Sequence, residues 1–391
     1  MEKVRYGIIG VGNQGTAYAL NMFDNGAAEN ATLTAICDIN PAKLQLLEGK
    51  LQNISPAQFE NYKALLDSGL CDAILVETPH YDHPEIVTEA LKRGIHVICD
   101  KPAGVYAKQV KAMNEAAEKS SAKYGMMFNQ RTNPVYIKMR EIVHSGALGR
   151  IQRVVWTITT WFRTQAYYDT GAWRATWDGE GGGVLINQCP HQLDLISWIM
   201  GEMPKRVSGF CHYGKWHDVE VEDDVTAYFE YEGGATGVFI TTTGEAPGIN
   251  RFEISGTLGR LVCEDDKLTH YVNGTDTLTW LYESEHGFNK PPCELAEITL
   301  GEKPVSQHLT LLNAFTASIL GGTPSPVDGK EGINMVELMN GIELSGWYGG
   351  RPVELPVDPE EYLRELNARR KASRYVAEGA DKVIDNTSSY K

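Results

Sequence analysis

Two stretches of this chain hold ligand-gripping residue types where the backbone must keep them still. The first is Gly10-Val11-Gly12-Asn13-Gln14-Gly15, a G-x-G-x-x-G run between an apolar segment, YGII, and a helical one, TAYALNMF. Glycines at this spacing let the backbone approach a pyrophosphate and set its charge at the positive start of a helix. Gly10, Gly12, Asn13 and Gln14 are therefore candidate cofactor contacts. Asp38 closes a second apolar segment, in AICDIN. A carboxylate there accepts hydrogen bonds from both hydroxyls of an adenosine ribose and repels a 2′-phosphate, so the cofactor expected is NAD rather than NADP. The competing account makes the glycines a tight turn and Asp38 a cap for the next helix. The second stretch is HVICDKPAG, residues 96–104. Here an apolar run breaks straight into Asp100 and Lys101, and Pro102 stiffens the backbone behind the lysine. The segment AILVE likewise runs into Thr78-Pro79-His80. Both breaks fall beyond the C-terminal ends of strands, the edge on which open α/β sheets collect ligands.

A third group lies near the middle of the chain. In GGGVLINQCPHQLD, Asn187 and His191 are four residues apart and share a face if the segment is one helix. Just upstream, TWFRTQAYYDTGAWRATWDGEGGG mixes aromatic residues, arginines and glycines. Aromatic faces stack on sugar C–H surfaces and guanidinium forks take hydroxyls or carboxylates, so Tyr167, Trp173 and Arg174 are substrate-pocket candidates. The same residues suit an aromatic cover over a sheet and a subunit contact equally well.

Elements must position these groups. The first third alternates short apolar strands (4–9, 31–37, 73–77, 96–99, 124–128) with amphipathic stretches such as 83–93 and 107–121. That pattern predicts βαβ units and a doubly wound parallel sheet, the Rossmann arrangement. From about residue 150, segments rich in β-branched and aromatic residues follow one another between Gly and Asp turns, which predicts a large, open, mostly antiparallel sheet. Helices are expected at 190–200, 306–320 and 332–348. The expected division is a cofactor domain over 1–128, a substrate-binding and oligomerisation domain over 129–356, and a charged tail over 357–391. That tail begins as a helix and frays at DNTSSYK.

Composition narrows the partners. The 391 residues carry 36 Lys+Arg against 51 Asp+Glu, a formal charge of −15, which argues against nucleic acid or an anionic membrane. The seven cysteines are scattered without a C-x-x-C pair, so no disulfide framework and no metal site is expected. The opening MEKVRYGIIG enters a strand at once, and the expectation is a cytoplasmic protein without a signal peptide.

The Rossmann start, the T-P strand end, the D-K-P tripeptide and the segment G-G-G-V-L-I-N-Q-C-P-H-Q-L-D together resemble the Gfo/Idh/MocA oxidoreductases, across the chain to about Pro356. The resemblance implies an NAD-dependent enzyme oxidising a secondary alcohol of a sugar, glycoside or cyclitol. Carried over, Lys101 lies between the nicotinamide ribose and the reacting hydroxyl, and the peptide before Pro102 is cis. Asp100 replaces the commoner glutamate and shortens its reach. His191 is the general base, expected to titrate near neutrality, with Lys101 stabilising alkoxide charge. A core histidine bonded to a helix carbonyl is the alternative for His191. Asn187 stands where the family more often has aspartate, and it can orient a hydroxyl but not relay a proton. An N-Q pair before the histidine resembles the branch acting on the 3-hydroxyl of glycosides or nucleotide-linked sugars. Asn129 is expected at the nicotinamide and Arg131 at the substrate, while Asp194 either orients His191 or bonds across its helix. An open sheet implies a homodimer or homotetramer. Two rival readings are an elimination–addition glycosidase that retains its NAD, and a non-catalytic NAD-binding relative.

Overall fold

The computed structural model describes residues 3–375, so DNTSSYK lies outside the described residues. The N-terminal strands are β1 (Val4–Ile9), β2 (Ala31–Cys37), β3 (Ala57–Phe59), β4 (Ala73–Val76), β5 (His96–Cys99) and β6 (Tyr124–Met126). They pair in parallel in the order β3-β2-β1-β4-β5-β6. The order in which strands are added to the sheet therefore reverses between β1 and β4, and the loops at that point open a crevice at the strands' C-terminal ends. Helices α1 (Asn13–Tyr18), α2 (Pro41–Glu48), α3 (Tyr62–Asp67), α4 (His83–Lys92) and α5 (Ala107–Glu118) connect them. Their starts follow local chemistry. Asn40 and Asn61 accept backbone N–H groups of the first turns of α2 and α3, and Pro41 occupies a first-turn position that needs no donor.

Beyond α6 (Pro134–His144) the second sheet gathers β7 (Ile151–Ile158), β8 (Arg206–Tyr213), β9 (Glu222–Glu230), β10 (Thr236–Thr242), β11 (Asn250–Gly256), β12 (Gly259–Glu264), β13 (Lys267–Asn273), β14 (Cys293–Ala296) and β15 (Val353–Glu354). The order is β14-β13-β12-β11-β7-β10-β9-β8-β15. All its pairs are antiparallel except β7 with β10, because the chain makes a long excursion between them. That excursion contains the site helices α7 (Gln165–Tyr168), α8 (Val184–Asn187) and α9 (Pro190–Met200). The remaining helices are α10 (Thr277–Glu283), α11 (Gln307–Gly321), α12 (Gly332–Trp347) and α13 (Pro359–Lys371). No helix among the described residues is long and apolar enough to cross a membrane.

Two elements ignore the simple division at residue 128. Helix α11 returns to the first sheet, where Thr316 meets the buried Tyr6 hydroxyl at 2.8 Å. Helix α13 opens the segment expected as a tail, yet Tyr362 and Leu366 are buried. Asp358 caps it, acids fill its first turn, and Arg369, Arg370 and Lys371 fill its last, all favourable to the helix dipole. It is tied to both parts of the molecule, through Glu360 with Lys108 and Arg370 with Asp178.

Candidate active site

The glycine loop after β1 has the shape a dinucleotide needs. Gly10 has φ +95°, and a Cβ there would stand 2.5 Å from the carbonyl oxygen of Glu77, so only glycine fits. A Cβ on Gly15 would lie 2.0 Å from the carbonyl oxygen of Gly10, which brings α1 hard against the strand. Gly12, by contrast, faces open space at the start of α1. This bare helix start, beside a carboxylate, suits a pyrophosphate and a ribose. Asn13 is exposed and Gln14 half-buried on the same turn.

Asp38 does not cap the next helix, since Asn40 does. Its Oδ2 accepts the N–H of Val11 at 3.0 Å and its Oδ1 that of Asn40 at 2.9 Å. The carboxylate is thus fixed beside the loop, with lone pairs left for a diol, while the neighbouring Ile39 is 89% exposed. Replacing Asp38 with Ser and Ile39 with Arg removes the repulsion and adds a phosphate partner. The double variant is expected to gain NADP affinity relative to NAD in titrations of both cofactors. A wild type that already prefers NADP would contradict this role for Asp38.

Three polar groups along the sheet edge have buried atoms without a protein partner: both carboxylate oxygens of Glu77, the hydroxyl of Thr78 and Oδ1 of Asn129. Buried polar atoms are rarely left so, and these lie where the fold receives its ligand. Together with the open Gly12 they fit a bound dinucleotide. Pro79 is exposed beside them. His80 donates from Nδ1 toward the carbonyl of Glu180 at 3.1 Å and meets the Trp173 ring edge-on, so it joins the sheet edge to the second part of the site. His83, not singled out in the sequence, lies between the carbonyls of Pro102 (2.8 Å) and Thr78 (2.7 Å) and braces both strand-end loops.

The Lys101–Pro102 peptide is cis. Asp100 folds back, its Oδ1 accepting the N–H of Lys101 at 2.8 Å. The Lys101 ammonium reaches across to the backbone carbonyl of Asn187 at 3.0 Å, leaving two of its three hydrogens for a ligand. The ammonium lies close enough to influence Glu77, His80, Glu180, His191 and His308.

The Asn187–His191 segment is not one helix. Helix α8 ends at Asn187 and α9 starts at Pro190, because proline supplies no N–H and pushes the preceding residue out of helical geometry. The two side chains are therefore aimed separately rather than stacked on one face. The Asn187 amide oxygen accepts from Tyr167 Oη (3.2 Å) and Gln188 Nε2 (3.0 Å), and its nitrogen donates to Glu180 Oε1. The acid missing at position 187 thus reappears one contact away as Glu180, a buried carboxyl that burial pushes above its ordinary range. His191 packs edge-on against Phe128, and its Nδ1 is buried without a partner. It is no core histidine tied to a helix carbonyl through that nitrogen. Burial, then the charges of Lys101 and His308, hold its pKa well below the usual imidazole value. The expectation of a group titrating near neutrality is corrected accordingly: the imidazole is neutral throughout that range.

Tyr167, Trp173 and Arg174 come together. Arg174 lies over both rings at 4.8 and 4.6 Å, and its Nη1 donates to the Tyr167 hydroxyl at 3.0 Å. Arg131 differs from expectation. Its Nε and Nη2 grip the Asp194 carboxylate at 2.9 and 2.6 Å, and its Nη1 meets Glu331 at 2.5 Å. With its guanidinium buried and engaged on three sides, it holds α9 to the cofactor-domain exit rather than meeting substrate. Asp194 accordingly neither orients His191 nor bonds across its helix.

Comparison with known proteins agrees with this geometry. Residues 4–128 match the oxidoreductase family with an NAD-binding Rossmann fold, and residues 136–262 match the GFO/IDH/MocA C-terminal domain. The chain is 26% identical over 340 residues to a myo-inositol 2-dehydrogenase of Thermotoga maritima, covering 84% of this chain and 92% of that one. It is 22% identical over 339 residues to an inositol 2-dehydrogenase of Rhizobium meliloti, covering 86% and 94%. The WlbA dehydrogenase of Bordetella pertussis, solved with NADH and UDP-GlcNAcA, superimposes with a TM-score of 0.75 at 24% identity, over 91% of this chain and 100% of that one. A Rossmann half shaped for NAD, followed by the domain that defines the family's second half, places this chain among the Gfo/Idh/MocA oxidoreductases.

Proposed function

We propose that this protein oxidises a secondary alcohol of a sugar, glycoside or cyclitol, with NAD as the acceptor, and runs the reverse reduction. The observation that carries this reading is the convergence of the Lys101 ammonium, held at 3.0 Å from the Asn187 carbonyl, with the neutral His191, whose buried Nδ1 has no partner. When bound, NAD supplies the hydride-accepting ring. His191 takes the hydroxyl proton as a neutral base, and the free hydrogens of Lys101 stabilise charge on the same oxygen. Tyr167, Trp173 and Arg174 form an aromatic and cationic wall for a polyhydroxylated ring. The relatives named for inositol, and the structure holding a nucleotide-linked sugar, support this substrate class.

The test is a panel of inositols, hexoses, 1,5-anhydrosugars and aryl glucosides, followed by NADH absorbance. Steady NADH formation with a member of the panel is the expected result. Release of free sugar from a glucoside without net NADH would favour transient oxidation on retained cofactor. Inertness toward every member would overturn the dehydrogenase reading.

The same reading includes self-association through the second sheet. Phe210 and Tyr228 are 52% and 39% exposed on adjacent strands β8 and β9, and at the other end of the sheet Leu295 is exposed on the edge strand β14. Neighbouring large apolar groups on a sheet face, as Phe210 and Tyr228 are, are ordinarily covered. Light scattering at micromolar concentration is expected to give a dimer or larger, and a monomer would contradict the proposal.

A further inference from the structure

Glu180 stands where the substrate wall meets the loop that carries Asn187. It is buried, and each of its carboxylate oxygens faces a donor from the site. Oε1 accepts from the amide nitrogen of Asn187, and Oε2 accepts the N–H of Ala175 at 2.6 Å. Ala175 directly follows Arg174 and has φ +50°, a left-handed conformation that residues with a side chain seldom adopt. The carboxylate thus holds a strained turn at the point where the wall arginine leaves the backbone.

From Arg174 the donors run one way. Its Nη1 donates to the Tyr167 hydroxyl at 3.0 Å, and that hydroxyl gives its own hydrogen to Oδ1 of Asn187 at 3.2 Å. Nε2 of Gln188 donates to the same oxygen at 3.0 Å. The Asn187 amide passes the series on to Glu180 through its nitrogen, and the circuit closes through the Arg174–Ala175 peptide. This fixes which way round the amide lies. Turned over, it would set its nitrogen against two donors and its oxygen against a carboxylate. With both lone pairs of Oδ1 engaged and one hydrogen given to Glu180, Asn187 has a second N–H left to offer. Residues 179–186 and 188–190 are all buried, whereas Asn187 is half-buried, as are Lys101, Tyr167 and Arg174. The amide is therefore the part of this segment that reaches accessible space.

Other groups hold the loop's backbone. Glu222 of β9 accepts the N–H of Gly183 at 2.9 Å and of Leu185 at 3.1 Å. Glu343 of α12, which accepts the Tyr362 hydroxyl of α13, lies against Gly182. Glu180 thus acts on the Asn187 side chain, while α8 is kept in place from behind.

We propose that Glu180 is a positioning residue that turns the Asn187 amide nitrogen toward substrate, so that the site reads one substrate oxygen through a donor and takes an ether or glycosidic oxygen there as well as a hydroxyl. The proposal rests on the reading of this pocket as the site of a sugar or cyclitol dehydrogenase. A donor binds any of these oxygens, since each carries lone pairs. An aspartate at position 187 would be an acceptor instead. It would bind a hydroxyl but repel an ether, which has no hydrogen to give. The same acid fixes the turn after Arg174, so the wall and the donor are set together.

Exchanging the two residues tests this. Asn187→Asp sets a second carboxylate against Glu180, and Glu180→Gln brings an amide nitrogen against a donor. In the double variant the glutamine oxygen takes the Ala175 N–H and its nitrogen donates to the aspartate, so every contact is restored with the acid moved one place. Thermal midpoints, measured without substrate or cofactor, are expected to fall in each single variant and to be higher in the double variant than in Asn187→Asp. On the best substrate of the panel, Asn187→Asp should lose about 10²-fold in kcat/KM, and the double variant should return to within about 10-fold of wild type. The mono-O-methyl ethers flanking the oxidised carbon provide the second comparison. The double variant should discriminate against an ether about 10²-fold more than wild type does, in KM rather than kcat. Simply additive changes in thermal midpoint would overturn the Glu180–Asn187 contact. An ether-to-hydroxyl preference that is the same in wild type and double variant would overturn the presented donor and leave Glu180 a purely structural acid. The melting comparison needs no substrate, so inertness of the wild type toward the whole panel counts against the dehydrogenase reading alone.

Discussion

Lys101→Ala is expected to lower the rate of hydride transfer by about 10²–10³-fold while leaving NAD binding nearly unchanged. In the proposed mechanism the ammonium acts at the point where charge develops on the substrate oxygen, in surroundings that include buried Glu180 and His80. A preorganised charged donor of this kind contributes on the order of 3–4 kcal/mol to a transition state and far less to a ground state. The cofactor grip is built elsewhere. Gly10, Gly12 and Asp38 lie on the β1 and β2 side of the sheet and, among the described residues, form no hydrogen bond with the Lys101 side chain. Single-turnover rates and NAD titrations on one preparation separate the two effects. Near-normal turnover would reduce Lys101 to a structural role, and a parallel loss of NAD affinity would make it a cofactor anchor instead.

The sequence made the cofactor half legible because each signal there is local. Strands Val4–Ile9, Ala31–Cys37 and His96–Cys99 end where apolar runs meet Gly, Asp or Lys, and the structure ends them at the same residues. Pro190–Met200 was equally plain, bracketed by a first-turn proline and by Gly201 with φ +73°. The break between Asn187 and His191 was also written in the sequence, in Pro190 and its effect on Cys189, but a spacing of four residues reads more readily as one helix face.

What stayed hidden depends on partners far along the chain. Arg131 at a strand exit looks ligand-facing until Asp194 and Glu331, 63 and 200 positions away, close on it. The apolar face of α11 does not say which sheet it covers. Nothing local marks Glu180, Glu222 and Glu343 as buried, since burial is a property of the packed fold and not of the residue. The Tyr362 contact could not be inferred at all from a charged segment that reads as a tail. Local geometry was thus readable from residues, whereas the electrostatics of the site was not.

His191 shows the consequence most directly, because its environment moves its titration out of the range an ordinary imidazole would occupy. Burial disfavours the imidazolium, and the Lys101 ammonium, with His308 wherever that ring is itself protonated, disfavours it further, so its pKa lies well below 6.5. The base form needed for alcohol oxidation is therefore present at neutral pH and is lost only as pH falls through the depressed value. The His191 contribution to rate should be flat from about pH 6.5 to 8, with an acid limb below. Stability follows the same sign: the unfolded chain takes up a proton first, so this histidine favours unfolding as pH drops below about 6.5. His191→Asn should slow turnover about 10²- to 10⁴-fold and abolish that acid limb. Lys101→Met should shift the limb to higher pH, since the larger of the opposing charges is gone. Losses in the double variant should be smaller than the product of the single losses, because both groups act on one oxygen. Imidazole NMR titrations, with the His191 signal assigned by its absence from His191→Asn, check the shift without turnover. A wild-type midpoint at or above 6.5, or one that stays put when Lys101 is replaced by Met, would remove the electrostatic link between these two residues and with it this account of how the base is kept neutral.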